Sequence, residues 1–324
     1  MNILVIQTAY LGDCVLTLPL INSLKKSFEG KISVLTRPET SDIFRSAGAV
    51  DDVISFDKRG IDRGVWSLFK IAGSIRRMDF DMVFLPQRSI RSGLISFLSG
   101  IPRRIGFKRG GANIFLTDKV EYDWNIHEAE RLLSLAPVSG GNNITRESSL
   151  APDPEIVDSY NKKYLDTEKK IIGICPQSEW YTKCWPIERY EELIRTLGND
   201  MQLIILGNKK QEWLFPNTID LTGKTSIKEL IAIVSQLDLL VSNDSGVMHI
   251  AAAVKVPVVS IFGPTVPGMG FAPFGAGHTV IDIELDCRPC GLHGGTKCPR
   301  KHFKCMLDIT TKRVTQEVYA KIGC

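Results

Sequence analysis

Leu237-Asp238-Leu239-Leu240-Val241-Ser242-Asn243-Asp244-Ser245-Gly246-Val247-Met248-His249-Ile250-Ala251-Ala252-Ala253 is the stretch on which the fold turns. The apolar run ending at Val241 predicts a buried strand. Ser245-Gly246 predicts a tight turn, and His249 to Ala253 opens a helix. Such a turn points backbone N–H groups and the positive end of a helix dipole into the crevice at the strand's C-terminal edge. That makes an anion site, most naturally one for phosphate.

Outward from this stretch the pattern repeats. In the first half, strands are predicted at Ile3–Ile6, Ile32–Leu35, Asp52–Phe56 and Met82–Leu85. Helices are predicted over Leu18–Lys26, near Thr40–Ala47 and over Trp66–Arg76. Around Ser139–Asp158 the composition shifts to Gly140-Gly141-Asn142-Asn143, Pro152 and Pro154, which predicts a linker, with a hinge near Leu150–Lys163. The rhythm then restarts: strands at Ile171–Cys175, Gln202–Leu206, Leu239–Val241 and Val258–Phe262, helices at Ile187–Leu197, Ser226–Ser235 and Gly246–Val254. This alternation predicts an α/β fold of two Rossmann-like, doubly wound parallel-sheet domains facing a central cleft, residues 1–155 and 166–324.

The 324 residues suit two domains of about 150 residues each. Hydrophobic content of 44% with 23% charged residues is that of a globular protein. A net charge of +4 and a pI near 8.5 are compatible with an anionic substrate or an anionic membrane face. No nucleic-acid motif accompanies them, so no nucleic acid partner is expected. The N-terminus has no basic n-region, and Gly12-Asp13 interrupts its apolar stretch too early for a signal peptide. No apolar run is long enough to span a bilayer. A cytoplasmic location follows as the expectation, with the eight cysteines mostly free thiols.

Neither half carries G-x-G-x-x-G after its first strand, which disfavours a dinucleotide oxidoreductase. Other residues carry chemistry. Asp13, at the end of the first strand beside Gly12, suits a general base, or a helix N-cap for the residues after it. The loop Cys175 to Pro186 offers Ser178 as a phosphate donor and Lys183 as a compact positive charge, or is an ordinary loop. Asp244, Ser245, Gly246 and His249 form the strongest set, and Gly263-Pro264-Thr265 falls on the same strand edge. Gly223-Lys224-Thr225 looks like the end of a P-loop without its earlier glycine, a weak signal. Arg88, Arg91, Arg103, Arg104, Lys108 and Arg109 suit an anionic acceptor, or are solvated surface charge. Cys287, Cys290, Cys298 and Cys305, with His293 and His302, fit by count a structural zinc or iron–sulfur site, with packed free thiols as the alternative.

Taken together these motifs resemble glycosyltransferase family 9, the bacterial lipopolysaccharide heptosyltransferases. The resemblance rests on Gly12-Asp13 with Leu18-Pro19, Arg88 to Gly93, Arg103-Arg104-Ile105-Gly106-Phe107 and His127-Glu128-Ala129-Glu130-Arg131. It continues through Pro176 to Pro186, Asp220 to Thr225, Ser242 to Ala253, Ile261 to Thr265 and Cys287 to Cys305. Within the family it looks most like the type that adds the second inner-core heptose.

The resemblance implies a GT-B fold, with acceptor bound mainly by the first domain and nucleotide sugar by the second. It implies inverting transfer of L-glycero-D-manno-heptose from ADP-heptose to a lipopolysaccharide inner-core acceptor (Kdo/heptose-lipid A), with another nucleotide sugar as the alternative donor. Asp13 matches the family's catalytic base. Lys183 and the Asp244–Gly246 turn match its diphosphate-binding residues, and Gly12, Arg88, Arg91 and Arg104 fall to the acceptor. No cofactor is expected for catalysis, and the enzyme is expected to sit peripherally on the cytoplasmic face of the inner membrane. The last helix, Thr315–Ile322, is expected to cross back to the first domain. One departure stands out: Gln177 occupies a position where the family usually has Gly, and Cys184 one where a basic or polar residue is common.

Overall fold

The computed structural model describes residues 1–57, 60, 64–166, 168–210 and 215–323. The chain divides into two compact units, Met1–Leu150 and Ala151–Cys324.

Six strands form the sheet of the first unit: β1 (Asn2–Ile6), β2 (Lys31–Thr36), β3 (Asp52–Ser55), β4 (Met82–Leu85), β5 (Arg103–Phe107) and β6 (Asp118–Val120). Six more form the sheet of the second: β7 (Lys170–Cys175), β8 (Met201–Ile205), β9 (Thr218–Asp220), β10 (Leu239–Asn243), β11 (Val258–Ile261) and β12 (Thr279–Ile281). The orders are β3-β2-β1-β4-β5-β6 and β12-β11-β10-β7-β8-β9. Every pairing is parallel. Read from its own first strand, each sheet has the same doubly wound order. The winding reverses between β1 and β4 in one, and between β7 and β10 in the other.

A parallel sheet is covered on both faces, so its central strands are apolar throughout rather than alternating. Ile3 to Ile6 and Leu239 to Val241 are all buried. Leu4 and Ile6 share a core with Leu68, Ile75 and Ile95 from flanking helices. Ile172, Ile174, Leu239 and Val241 share another with Tyr190, Leu193, Val314 and Val318.

The unit boundary falls inside the stretch expected as a linker, and residues 141–153 are neither helix nor strand; from Pro154 the chain is helical, Asp153 accepting N–H bonds from Glu155 and Ile156 and Pro154 occupying the first helical turn. Both are N-terminal helix signals, which the surrounding turn residues obscure. The helix Pro154–Tyr164 belongs to the second unit, where Tyr160 donates to Glu229 at 3.2 Å. The last helix, Thr311–Ile322, likewise packs on helix Ile187–Leu197 of that unit, with Val314 and Val318 in its core.

Candidate active site

In a doubly wound sheet the loops part where the winding reverses, and ligands bind at that switch point outside the strands' carboxyl ends. In the second unit the switch point is framed by β7 and β10, with Ser242 in register with Cys175. Asn243 is fully buried there and joins three loops. Its Nδ2 donates to the Pro176 carbonyl at 2.8 Å. Its Oδ1 accepts from the Trp185 N–H and the Tyr190 hydroxyl, each at 3.0 Å. An amide side chain offers the donor and the twice-accepting oxygen that this junction uses.

Asp244 follows. Its Oδ2 accepts from Lys183 Nζ at 2.6 Å and from the Thr265 hydroxyl at 2.7 Å. Its carbonyl accepts from the Ser178 hydroxyl at 2.9 Å. The Lys183 and Asp244 side chains are 13% and 8% exposed, so the pair is poorly screened, and each charge depends on the other. An ammonium has three donors, so holding Asp244 leaves capacity for a phosphate oxygen. Asp244 therefore orients Lys183 and Thr265.

Ser245 occupies the N-cap of helix Gly246–Ala253 without capping it. Its hydroxyl pairs with that of Ser242 at 2.9 Å. The first-turn amides from Gly246 onward thus have no side-chain cap, as an anion site requires. His249 is buried in the second turn of this helix.

Gly263 and Pro264 meet the cysteine-rich segment through their carbonyls. Arg288 donates to the carbonyls of Gly263 and Ile283, and to that of Thr265 at 2.8 Å; the Cys290 N–H donates to Pro264 at 2.9 Å. The same segment reaches the Lys183 loop: the Thr182 N–H donates to the Gly295 carbonyl at 3.0 Å, and the Gly295 N–H to the Thr182 hydroxyl at 2.7 Å. This stretch braces the loops that follow β7 and β11.

Cys290, Cys298 and Cys305 line one small cavity with Thr182, Pro264 and Phe303, and Cys287 Sγ lies 3.7 Å from His302 Nε2. Among the described residues, no three His, Cys, Asp or Glu side chains are arranged to hold a metal ion. The donor set therefore fits a zinc or iron–sulfur group by number and not by arrangement. Burial pushes the Cys298 thiol up, but N–H bonds from Phe303, Arg300, His302 and Lys301 outweigh it and leave it below its usual range.

Gln177, the departure from the family pattern, binds the loop after β8. Its Nε2 donates to the Lys209 carbonyl at 2.5 Å, and its Oε1 accepts the Lys209 N–H at 3.1 Å. Gly207 leaves the room: a Cβ there would stand 2.5 Å from Gln177 Cδ. Gly223-Lys224-Thr225 is a turn beside this loop, with Gly223 at φ +66° and its N–H donating to Gly207 at 2.9 Å.

The first unit's switch point lies at the ends of β1 and β4, bridged by the Thr8 hydroxyl donating to Gln87 Oε1 at 2.7 Å. Asp13 is the third residue of helix Leu11–Leu16, not its N-cap, and Gly12 precedes it there. Its Oδ2 accepts the Tyr10 N–H at 3.2 Å. Gln7 ties the turn to the helix, donating to the Thr17 hydroxyl at 2.8 Å and accepting the Ala9 N–H at 3.3 Å. Cys14 is buried beneath, and burial pushes its thiol up to about 12, so it stays protonated.

The basic residues separate. Arg88 lies over the rings of Tyr122 (4.1 Å) and Trp124 (5.3 Å), joined by Arg109 over Trp124 (5.4 Å). The His127 to Arg131 motif supports this cluster: Arg131 pairs with buried Glu128 and donates to the Tyr122 hydroxyl at 2.9 Å. Arg91 lies over Phe56 at 5.1 Å. Arg104, expected on the acceptor, sits at the opposite, N-terminal end of β5. Its guanidinium donates to the carbonyls of Phe115 and Ile101, each at 2.6 Å, and so holds the turn after β5. Asn243 and Arg288 were not singled out from the sequence; their partners lie too far away along the chain for any local pattern to flag them.

Residues 68–297, more than half the chain, match the profile of glycosyltransferase family 9 (heptosyltransferase). The chain belongs to glycosyltransferase family 9. It is 27% identical to lipopolysaccharide heptosyltransferase 2 of Escherichia coli K12 over 99% of this chain and 98% of that one. It is 25% identical to lipooligosaccharide heptosyltransferase 2 of a Campylobacter jejuni serotype O:6 strain, covering 98% of each. The solved structure of E. coli ADP-heptose lipopolysaccharide heptosyltransferase II superposes with a TM-score of 0.81 at 23% identity, over 99% and 98% of the two chains. A family 9 transferase from Veillonella parvula gives 0.86 at 20% identity, over 99% and 97%. Fold and family agree: this is a glycosyltransferase of GT-B type, its two Rossmann-like units the two sheets above.

Proposed function

We propose that this family 9 enzyme moves L-glycero-D-manno-heptose from ADP-heptose to a lipopolysaccharide inner-core acceptor, with inversion at the anomeric carbon. The observation that carries the reading is the Lys183–Asp244–Thr265 constellation beside the uncapped helix at Ser245-Gly246, in a chain that also holds Asp13 at its other switch point. Full-length similarity to proteins named heptosyltransferase 2 supports the sugar.

Asp13 takes the proton of an acceptor hydroxyl as its oxygen attacks the anomeric carbon. The bond to ADP breaks in the same step, and negative charge grows on the diphosphate. Lys183, the Ser178 hydroxyl and the first-turn amides of Gly246–Ala253 receive that charge in place of water. With these groups present the transfer needs no divalent ion. An ion bound by Cys287, Cys290, Cys298 and Cys305 would staple the loop and leave no open position for chemistry. Metal analysis of protein made without a histidine tag decides this: about one equivalent supports the staple, and under about a tenth removes it.

The enzyme works on this reading at the cytoplasmic face of the inner membrane. Among the described residues no helix is long and apolar enough to cross a membrane. Helix Val65–Arg76 instead exposes Trp66 (85%) and Phe69 (51%), their rings 6.1 Å apart, together with Lys70 and Arg76. Exposed aromatics flanked by cations suit an anionic interface.

A donor panel tests the reaction. Purified enzyme is given heptose-deficient core with ADP-heptose, ADP-glucose, UDP-glucose or UDP-N-acetylglucosamine, and products are weighed by mass spectrometry. A gain of one heptose, from ADP-heptose alone, is the expected result. Transfer from another donor overturns the substrate, and sugar release or isomerisation without acceptor overturns the reaction class.

A further inference from the structure

Arg37 follows β2, one strand from Asp13 across the sheet order, and none of the sequence motifs includes it. It is only 8% exposed. Buried arginines are almost always paired, because a guanidinium out of water costs several kcal/mol unless an anion or acceptors replace the solvent. Arg37 Nε is closed off from solvent with no hydrogen-bond partner, and among the described residues its guanidinium is in no ion pair. Its Cζ lies 5.7 Å from the centre of the Tyr10 ring. Tyr10 is the residue whose N–H binds the Asp13 carboxylate.

The surroundings hold this charge in place. The carbonyl of Arg37 accepts from the Ser41 hydroxyl at 3.1 Å and the Thr40 hydroxyl at 3.3 Å, and Thr36 and Thr40 join hydroxyls at 2.8 Å. These bonds fix the backbone from which the side chain projects. Besides the burial that dominates it, the Cys14 thiol feels both Asp13 and Arg37, with opposite signs, so both charges lie near that one sulfur. A held, largely buried guanidinium whose shielded Nε lacks a partner, near the proposed base, is half of a pair.

We infer that Arg37 completes this pair with a two-oxygen anionic group of the acceptor, a carboxylate or a phosphate monoester, and so sets which hydroxyl reaches Asp13. This rests on the proposed transfer to an acidic inner-core acceptor. A planar guanidinium fork matches either group in a bidentate manner, which fixes orientation as well as affinity. Arg37 is a binding and positioning residue here, not one that handles the migrating proton.

The test compares Arg37→Gln and Arg37→Lys with the parent enzyme on three acceptors: heptose-deficient core, the same core dephosphorylated, and the same core with its carboxyls reduced. Deacylated forms are also titrated calorimetrically without donor. Loss of a charge-assisted bond predicts a rise of roughly tenfold or more in acceptor KM and Kd for Arg37→Gln, with ADP affinity unchanged and partial rescue in Arg37→Lys. The parent enzyme shows the same loss on whichever modified core lacks the recognised group, which separates phosphate from carboxylate without any variant. On that core Arg37→Gln adds nothing further. Equal KM and Kd for parent and Arg37→Gln on the intact core overturn the inference while leaving the transfer reading standing. Absence of transfer by the parent overturns the transfer reading instead, and the calorimetric ratio then decides Arg37 alone.

Discussion

The two switch points share one topology and differ in what they hold. At β7/β10 the charges are paired before any ligand arrives: Lys183 with Asp244, Asp244 with Thr265, and the loops pinned by Asn243. At β1/β4 the side chains are tied through amides and hydroxyls, Gln7 to Thr17 and Thr8 to Gln87, while after the neighbouring β2 the Arg37 Nε is shielded with no partner among the described residues. The same winding therefore produces a preset network of paired charges in one unit and, in the other, a shielded guanidinium Nε without a partner among the described residues. Topology decides where ligands bind, and loop side chains decide which ligands and what happens to them.

The sharpest break in this comparison is Asp13→Ala. If the first switch point supplies the base and the second only holds the diphosphate, turnover falls by roughly 10²–10⁴-fold. ADP affinity, measured by calorimetry, stays at the parent value. A parallel loss of ADP affinity would make Asp13 a structural member of its helix turn, as its bond to the Tyr10 N–H allows.

Lys183→Ala probes the opposite side and should look different. It removes charge from the developing diphosphate, for a loss of roughly 10²–10³-fold in kcat. It also strands Asp244 at 8% exposure, so ADP affinity and thermal stability fall together. Asp244→Asn in the Lys183→Ala background should recover stability without recovering turnover. Recovery of both would mean that Lys183 acts only through its partner.

Much of this was legible in the residues, and the failures have physical causes. The strand-turn-helix at Leu239–Ala253 stood out because buried parallel strands are apolar throughout and the turn is marked by Ser-Gly. Helix Ile187–Leu197 emerged with its observed bounds because its apolar face repeats at helical spacing. Strands β6, β9 and β12 are three residues each, too short for any period, and β5 opens on Arg103-Arg104, which read as an anion site. Arg104 looked like substrate chemistry because charge type is local, whereas the carbonyls that bind it belong to the tertiary fold. Asn243, Arg288 and Arg37 were missed for the same reason: each is decided by what surrounds it in space.

Asn243→Ala sets the rigidity of the two switch points against each other. It leaves the Pro176 carbonyl, the Trp185 N–H and the Tyr190 hydroxyl without their partner in a buried setting, a cost of about 3 kcal/mol. Gln7→Ala, at the first unit's switch point, loses the Thr17 and Ala9 bonds and should cost about 1–2 kcal/mol. Denaturant unfolding of both variants gives the order. Equal costs would remove the claim that the phosphate side is the more firmly preset.

The smallest effect separates a loop tie from a donor contact. Gln177 bonds Lys209 through space that exists because residue 207 has no Cβ. Gln177→Gly removes those bonds, and Gly207→Ala drives the amide off them, so each alone should cost about 1–2 kcal/mol of stability. Together they should cost no more than the worse single change, because the second substitution then finds nothing left to break. ADP-heptose KM should move only a few-fold, tracking loop position. Additive costs would show that Gly207 serves its own backbone and not Gln177. A large KM change with unaltered stability would place Gln177 on the donor itself, where the family's usual glycine stands, and the two switch points would then differ in substrate contact as well as in charge.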